Sequence, residues 1–433
     1  MRLSNAPLSK TISEIRRDKT NIKEYYEDLE ERIENVEPDI NSFVKEPDFT
    51  RIQRQIIELT EKWEHENIRP PLYGASIGIK DIFRVDGFET RAGTTLPPEI
   101  FEGPEATVVT RLRDAGAIVT GKTVSTEFAY SPTGPTRNPH DLEHTPGGSS
   151  SGSAAAVAAG LVSLALGTQT VGSIIRPAAY CGIIGFKPSG GRLPTAGVVP
   201  FSSSADQIGL FTQDLDGMKL ASSVLCPKWT PSSVSETNLR VGVPSGPYLS
   251  QASETGQKAF YNQVETLGDA GIDIQEVTVF NSIDSVNELH QAMTEAEAAM
   301  AHAEWYTEYG ERYHQDTADM VEAGWETSLK KVGEGRKSQR RTRNRIADIM
   351  ESTDIDVLVS PAAPGPAPKG IEESGSPIMN LPWTHAGVPA ITLPIDQTKK
   401  GLPLGLQCTV QHGDDERLLS IAEEVMKLFN TPI

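Results

Sequence analysis

Two glycine turns that carry serines lie close together in the sequence and contain the residue types of a hydroxyl nucleophile. The first runs from Gly147 to Gly152 and the second from Gly167 to Ser173, with alanine, valine and leucine between them. A flexible linker would lack that apolar stretch, and a membrane helix would lack the serines and Arg176. The pattern predicts two tight turns held by a packed helix and strand, which suits a nucleophilic serine and a group that takes its proton.

One candidate arrangement for such a serine is the Ser-His-Asp site. Residues 148–152 formally match the G-x-S-x-G elbow, in which Ser150 would be the nucleophile. That elbow requires a buried strand immediately before it, whereas the polar, proline-broken stretch NPHDLEHTP precedes it here. This context argues against a nucleophilic Ser150.

Lys80 is a candidate for the second arrangement, in which a lysine is the base. It follows Ile79 at the end of the short, β-leaning stretch ASIGIK. Burial there would lower the pKa of the amine from its usual value of about 10.4, so that it accepts a proton at neutral pH. From the residues alone, a strand-end lysine paired with Asp81 or with another carboxylate stays an open alternative.

The motifs around these residues resemble the amidase signature family of amide hydrolases. The resemblance rests on GGSSSGS, GTQTVGSI and PAAYCGIIGFKP between residues 147 and 188, and it extends to GIKDIF around Lys80. It spans most of residues 73 to 425. The fold that it implies is α/β, with a central mixed β-sheet buried between layers of α-helices.

The resemblance implies catalytic roles for three residues. Ser173 matches the nucleophile, Ser149 matches a bridging serine that follows a cis peptide bond, and Lys80 matches the base. Neutral Lys80 would draw the proton from Ser149, and Ser149 would draw it from Ser173. The implied oxyanion hole consists of four backbone N–H groups, those of Thr170, Val171, Gly172 and Ser173.

The resemblance also suggests which side chains line the substrate pocket. Glu127, Phe128 and Ala129 are candidates, although Phe128 could equally belong to the core. Trp383 and His385, in the stretch MNLPWTHAGVP, could form pocket walls or simply pack, because pockets and cores share apolar linings.

The chain departs from the usual D-T-G-G-S-I-R block of the family. Gln169 and Ile175 stand where the family has an aspartate and an arginine, Arg176 is displaced by one position, and Val171 replaces a glycine. Loss of one member of an ion pair leaves a buried charge, whereas loss of both can be nearly neutral. We therefore expect a variant branch of the family with an intact site.

Three further polar residues near the motifs have two interpretations each. Ser150 and Ser151 could orient the proton relay or cap the helix that follows them. Asp206 could organise the backbone near the serine turns or be an ordinary turn aspartate.

Apolar spacing predicts the remaining elements. Residues 8–65 form amphipathic helices, the first of which we expect to stop at Pro38, and strands alternate with helices from Tyr73 onward. Long helices are predicted between about Asp284 and Ile349.

We divide the chain into an N-terminal helical segment, residues 1–70, that packs on the core, and an amidase signature domain, residues 71–433. The Pro- and Gly-rich stretch 361–377 could be an interdomain linker, but strands on both sides of it favour a surface loop near the site.

Composition excludes several classes of protein. The chain has 433 residues, 37% hydrophobic and 23% charged, as expected for a globular protein with a sizeable core. The net charge of -19 argues against binding to nucleic acid or to anionic membranes. No apolar run resembles a signal peptide or a membrane span, which makes the cytoplasm the expected location. Three scattered cysteines, and His140 and His144 in a proline-broken loop, favour no metal site, and we expect no cofactor.

These inferences predict a hydrolase that cleaves a C–N bond of a small-molecule amide, anilide or carbamate. The expected partners are that substrate alone, with no nucleic acid and no membrane, and a homodimer is left open. One alternative is the glutaminase subunit of a tRNA-dependent amidotransferase, against which stand the altered block and the short stretch after the last predicted helix. Another is a catalytically silent binding protein, against which stands the joint presence of Lys80, Ser149 and Ser173.

Overall fold

A ten-stranded mixed sheet organises the part of the chain that the computed structural model describes, residues 3–64, 68–233 and 239–429. Both predicted segments, 1–70 and 71–433, extend beyond those ranges, and the boundary between them stays a prediction. In chain order, strands β1 to β10 are Ser76–Lys80, Ile118–Thr123, Leu164–Gln169, Ile184–Lys187, Gln207–Thr212, Arg240–Pro244, Asp273–Val277, Val357–Pro361, Ala390–Gln397 and Pro403–Thr409.

The strands lie in the order β2-β1-β3-β5-β4-β9-β10-β8-β6-β7. β1 pairs in parallel with β2 and β3, and β6 pairs in parallel with β7 and β8, whereas the pairs between these two groups are antiparallel. β1, β2 and β3 are buried at every position, so helices or loops cover both faces of the sheet there. This is the α/β architecture expected from the sequence.

Helices and their connections surround the sheet. The long helical run predicted after Asp284 is confirmed, and it comprises four consecutive helices, α9 to α12. In chain order, helices α1 to α14 within the described residues are Leu8–Arg16, Ile22–Ile40, Phe49–Lys62, Thr107–Asp114, Ser151–Ala158, Ile175–Cys181, Leu215–Leu225, Glu254–Asp269, Ile283–Ala301, Ala303–Tyr309, Gln315–Glu326, Leu329–Thr353, Leu381–Ala386 and Asp415–Lys427.

The predicted stop at Pro38 is wrong. α2 includes Pro38 and continues to Ile40 before Asn41 adopts a left-handed conformation. A proline lacks the N–H of one helical hydrogen bond, but the N–H of Asn41 still donates to the Glu37 carbonyl at 2.8 Å. The last turn therefore closes around the proline.

The N-terminal helices support the helix that follows the first serine turn. Buried residues of α2 and α3, including Ile33 and Ile52, belong to the same apolar cluster as Ala154 of α5. Arg32 of α2 donates from Nε to the Ala159 carbonyl at the end of α5, at 2.8 Å. The amphipathic patterns in this segment thus predict its buried face correctly.

The stretch 361–377 is a loop between β8 of the sheet and α13, as we expected, and not a linker between separate sheets. Its Gly375 carbonyl accepts a hydrogen bond from Arg176, which follows the second serine turn. The loop therefore reaches the candidate site. No helix within the described ranges combines the length and apolar character needed to cross a bilayer.

Candidate active site

Lys80 lies at the carboxyl end of β1, with no exposed surface. Its Nζ donates to Ser149 Oγ at 2.7 Å and to Thr168 Oγ1 at 3.0 Å. Burial lowers the pKa of Lys80 to about 7, although the carboxylate of Asp206 acts in the opposite direction. A substantial fraction of the amine is therefore neutral at physiological pH and can accept a proton.

Within the described residues, Lys80 forms no ion pair with Asp81 or with another carboxylate. Asp81 instead contacts Lys122 of the neighbouring strand β2, whose Nζ lies 2.8 Å from its Oδ1. Thr168, which was not among the predicted site residues, reaches Lys80 because β1 and β3 are parallel neighbours. The carboxyl ends of parallel neighbours meet at the same edge of the sheet, so strand pairing was the signal that could have identified it.

Ser149 lies in the first serine turn, immediately before α5. The Gly148–Ser149 peptide bond is cis, as the family resemblance implies. The turn is crowded, because a Cβ on Gly148 would lie 2.9 Å from Ser374 Cβ. The carbonyl of Ser149 accepts a hydrogen bond from the N–H of Thr126 at 3.3 Å.

Ser173 lies in the second turn, between β3 and α6, and is 9% exposed. Its hydroxyl has no hydrogen-bond partner among the side chains and backbone groups of the described ranges. The structure thus brings Lys80 and Ser149 into direct contact and leaves the Ser173 hydroxyl unengaged. The catalytic roles of the three residues stay predictions.

Residues 170–173, which we call the oxyanion loop, keep their backbone donors unused. None of these four N–H groups donates a hydrogen bond within the described part of the chain. Gly172 has no room for a side chain, because a Cβ there would lie 2.6 Å from Asn380 Oδ1. Free donors in a confined loop are what stabilisation of an oxyanion requires.

Gln169 forms hydrogen bonds at the position where the family has the aspartate of an ion pair. Its Oε1 accepts hydrogen bonds from the N–H groups of Ile174 and Ile175 at 2.8 and 3.0 Å, and its Nε2 donates to Thr384 Oγ1 at 2.8 Å. A neutral amide thus holds the backbone that immediately follows Ser173, which explains how the usual aspartate can be absent.

Gln169→Leu should lower both stability and kcat. The change leaves two buried N–H donors without an acceptor, at about 1–3 kcal/mol each, and it releases the turn that carries Ser173. Thermal unfolding and steady-state kinetics measure the two effects. Gln55→Leu is the matched control, since Gln55 also bonds a backbone amide, that of Val119, but away from the site. Equal losses of kcat in both variants would show that Gln169 has only a general structural role.

Arg176 also compensates for the altered block. It is buried, and it donates to the Gly148 carbonyl at 2.6 Å, to Ser374 Oγ at 3.1 Å and to the Gly375 carbonyl at 2.5 Å. Burial lowers the pKa of its guanidinium to about 10. The displaced arginine therefore holds the first serine turn through neutral oxygens.

Asp206 organises the backbone near the serine turns, which confirms one of its two interpretations. Its carboxylate accepts hydrogen bonds from Thr170 Oγ1 at 2.6 Å and from the N–H groups of Phe201 and Ser202 at 2.8 and 2.9 Å. Burial raises the pKa of Asp206, and these three donors act in the opposite direction.

The helix-capping interpretation of Ser150 and Ser151 is wrong. Ser150 is at the N-cap position of α5, but its side chain makes no capping hydrogen bond. Its Oγ instead donates to the Thr168 carbonyl at 3.3 Å, and Ser151 Oγ donates to the Val124 carbonyl at 3.4 Å.

The candidate pocket residues are largely buried. Glu127 accepts a hydrogen bond from the N–H of His314 at 2.9 Å, and burial raises the pKa of its carboxyl. Phe128 is 1% exposed and stacks on Tyr313, with ring centroids 5.0 Å apart, and Ala129 follows it with a positive φ of 63°. Contact of these side chains with substrate stays a prediction.

Trp383 is fully buried beside Tyr248 and Phe280, and its indole N–H donates to Tyr248 Oη at 2.8 Å. Core packing is sufficient to explain this position. Across the described ranges, no group of three or more His, Cys, Asp or Glu side chains is arranged to hold a metal ion.

The fold and the motifs together match a known family. The sequence model of the Amidase family matches residues 24–419. The chain belongs to the amidase family. It is therefore an amidase-signature hydrolase that acts on C–N bonds, with the fold and the family that the sequence predicts.

Individual members of the amidase family are similar over nearly the whole chain. A glutamyl-tRNA(Gln) amidotransferase subunit from Syntrophus aciditrophicus (strain SB) is 32% identical, with 90% of this chain and 90% of that protein covered. A crystal structure of an amidase has a TM-score of 0.90 and 30% identity, covering 98% of this chain and all of that one. A protein complex that reveals the evolutionary origins of an s-triazine catabolic enzyme has a TM-score of 0.85 and 27% identity, covering 98% of each chain.

The prediction about partners is wrong. We expected a small-molecule substrate alone, no nucleic acid, no membrane and at most a homodimer. Several relatives at 30% identity or more are instead subunits of a glutamyl-tRNA(Gln) amidotransferase. Since subunits function together with other chains, the expectation of a small-molecule substrate as the sole partner does not hold for these relatives. Net charge does not reveal this, because it describes the whole surface and not one interface.

Proposed function

We propose that this amidase is the amide-hydrolysing subunit of an amidotransferase. In this role it hydrolyses the side-chain carboxamide of glutamine through an acyl-enzyme on Ser173 and releases ammonia to a partner subunit. The relatives that are amidotransferase subunits support the assembly and the ammonia donor. The contact between Lys80 Nζ and Ser149 Oγ is the observation that carries the chemistry.

The burial of Lys80 supports its role as the base. A lysine with a pKa of about 7 is neutral often enough to accept a proton, yet basic enough to hold it. Among the described residues, Ser149 and Thr168 bond its Nζ, and both present hydroxyl groups and not carboxylates. The proton can therefore return to the serines later in the cycle.

The proposed reaction begins when Ser173 Oγ attacks the amide carbon. The Ser173 proton passes to Ser149 Oγ while the Ser149 proton passes to neutral Lys80 Nζ. The carbonyl π electrons move to oxygen, and the oxyanion accepts hydrogen bonds from the oxyanion loop. When the C–N bond breaks, the relay returns the proton to nitrogen, which leaves as ammonia. Water then hydrolyses the ester of Ser173 through the same relay.

A second candidate is hydrolysis of an amide, anilide or carbamate without a partner, which is the main hypothesis from the sequence alone. The observation that favours it is the similarity to the amidase at 30% identity and to the complex connected with s-triazine catabolism. Both candidates use the same serine chemistry, so only the substrate and the assembly distinguish them.

The test measures ammonia release from glutamine, asparagine and benzamide, and product release from p-nitroacetanilide and ethyl carbamate. We expect glutamine to be the best substrate, with weak activity for the isolated chain and more after the other amidotransferase subunits of the source organism are added. Ser173→Ala provides the background rate. A higher kcat/KM for the anilide or the carbamate, unaffected by added subunits, would favour the second candidate and reject the first.

A further inference from the structure

Three carbonyl groups of the oxyanion loop accept hydrogen bonds, whereas its four N–H groups donate none within the described residues. In a trans peptide the C=O and the following N–H point in opposite directions. A hydrogen bond to each carbonyl therefore directs the next N–H toward the opposite side. Three consecutive carbonyls accept such bonds: Thr170 from His290 Nε2 at 3.0 Å, Val171 from Thr384 Oγ1 at 2.6 Å, and Gly172 from the Arg176 N–H at 3.1 Å.

His290 has a defined tautomer. A carbonyl can only accept, so the contact with the Thr170 oxygen requires a proton on His290 Nε2. In the neutral ring, Nδ1 is then an acceptor, and it lies 3.2 Å from His385 Nδ1, which must donate. His385 Nε2 is left without a proton. This atom is buried and has no hydrogen-bond partner within the described residues, so no contact there demands a proton on it.

Both rings are neutral near physiological pH. His290 and His385 have no exposed surface, and burial lowers their pKa values to about 4 and about 3. His290 belongs to α9 and His385 to α13, so both come from outside the serine-glycine block. A proton on His385 Nδ1 stabilises the same His290 tautomer that the Thr170 carbonyl requires.

We propose that His290 is a positioning residue that orients the Thr170–Val171 peptide of the oxyanion loop, and that His385 fixes the tautomer in which it does so. The inference rests on the proposed function, because it assigns the Val171 N–H to the oxyanion. It also gives a role to two residues that the serine relay does not use. His385 is thus a second positioning residue, two residues beyond Trp383.

The first test compares His290→Leu with His290→Gln. Leucine removes the donor, whereas the Gln side chain offers an amide N–H at a similar reach. We expect His290→Leu to lower kcat by about 10- to 100-fold, since one oxyanion donor is worth about 10²–10³, with KM changed less than about twofold. His290→Gln should recover most of kcat. Equal losses in both variants, or a change in KM alone, would overturn the proposal.

A matched control removes a histidine contact of the same kind elsewhere. His412 Nε2 lies 3.1 Å from the Gly190 carbonyl, away from the oxyanion loop. His412→Leu should lower the unfolding temperature with little change in kcat. If it lowers kcat as much as His290→Leu does, the effect of His290 is general destabilisation.

Nitrogen-15 NMR of the histidine rings tests the tautomers directly. We expect protons on His290 Nε2 and His385 Nδ1, with His385 Nε2 unprotonated, and we expect His385→Leu to mix the His290 tautomers. His385→Asn keeps an N–H donor near the Nδ1 position and should preserve the His290 tautomer. A proton on His290 Nδ1 in the unmodified protein would contradict the assignment.

Failure of this inference can be told apart from failure of the proposed function. The rate at which a fluorophosphonate labels Ser173 depends on the oxyanion loop but not on the identity of the amide substrate. Labelling that is lost in Ser173→Ala but unchanged in His290→Leu would reject the histidine proposal alone. Labelling that persists in Ser173→Ala would reject the nucleophile itself.

Discussion

Ser173→Ala is expected to reduce amide hydrolysis by about 10⁴-fold or more, because removal of a serine nucleophile eliminates the acyl-enzyme route. The unfolding temperature should change little, since the Ser173 hydroxyl bonds no other described group and is 9% exposed. Steady-state kinetics measure the loss. Mass spectrometry after treatment with a fluorophosphonate should show one adduct on the unmodified protein and none on the variant.

Ser150→Ala is the matched control, because Ser150 is the nucleophile of the rejected G-x-S-x-G elbow. It should keep activity within about tenfold, the scale expected from loss of its weak contacts with Thr168. A reversed result, with Ser150 essential and Ser173 dispensable, would restore the elbow hypothesis. If the unmodified protein itself shows neither labelling nor turnover, the chain is a silent binding protein on the amidase fold.

Lys80→Met should reduce kcat by about 10³-fold, within the usual range for a lost general base. In the unmodified protein the pKa of about 7 makes kcat/KM rise with pH. Below that value Lys80 is protonated and cannot accept a proton, so activity falls about tenfold per pH unit, and above about pH 8 it levels off. The fall in activity at low pH, which is the acidic limb of the pH profile, should be absent in Lys80→Met. A pH series of kcat/KM for both proteins measures the effect.

Lys187 offers a control with the same titration in a different place. It is also fully buried with a pKa lowered to about 7, but its Nζ donates to Gln207 Oε1 and to the Val388 carbonyl, both at 2.6 Å. Lys187→Met should lose stability and keep the acidic limb. If the acidic limb survives in Lys80→Met and disappears in Lys187→Met, the titrating base is Lys187 and not Lys80.

Much of the fold could be predicted because its signals are local. Apolar spacing defined the N-terminal helices, and the alternation of strands and helices indicated the α/β class. The same local reasoning wrongly ended the helix at Pro38. The hydrogen bond from the Asn41 N–H to the Glu37 carbonyl closes the last turn beyond that proline. The prediction that Ser150 caps α5 was also wrong. Its hydroxyl donates instead to the Thr168 carbonyl of strand β3, which the cap preference of serine does not take into account.

The partners could not be predicted, because nothing local encodes them. An interface depends on the shape and chemistry of one part of the surface, whereas the net charge of -19 averages over the whole chain. The proposal of a partner subunit rests instead on the similarity to amidotransferase subunits.

The family and the three candidate catalytic residues could be named from the amino-acid sequence alone, because the motifs that resemble the family are short and continuous in the chain. The contacts that stabilise the altered family block, in contrast, are visible only in the folded chain. Gln169 meets Thr384, Arg176 meets Gly375 and His290 meets Thr170 across separations of 215, 199 and 120 residues. Such contacts depend on how helices and loops pack on the sheet, and no spacing pattern within one segment records them.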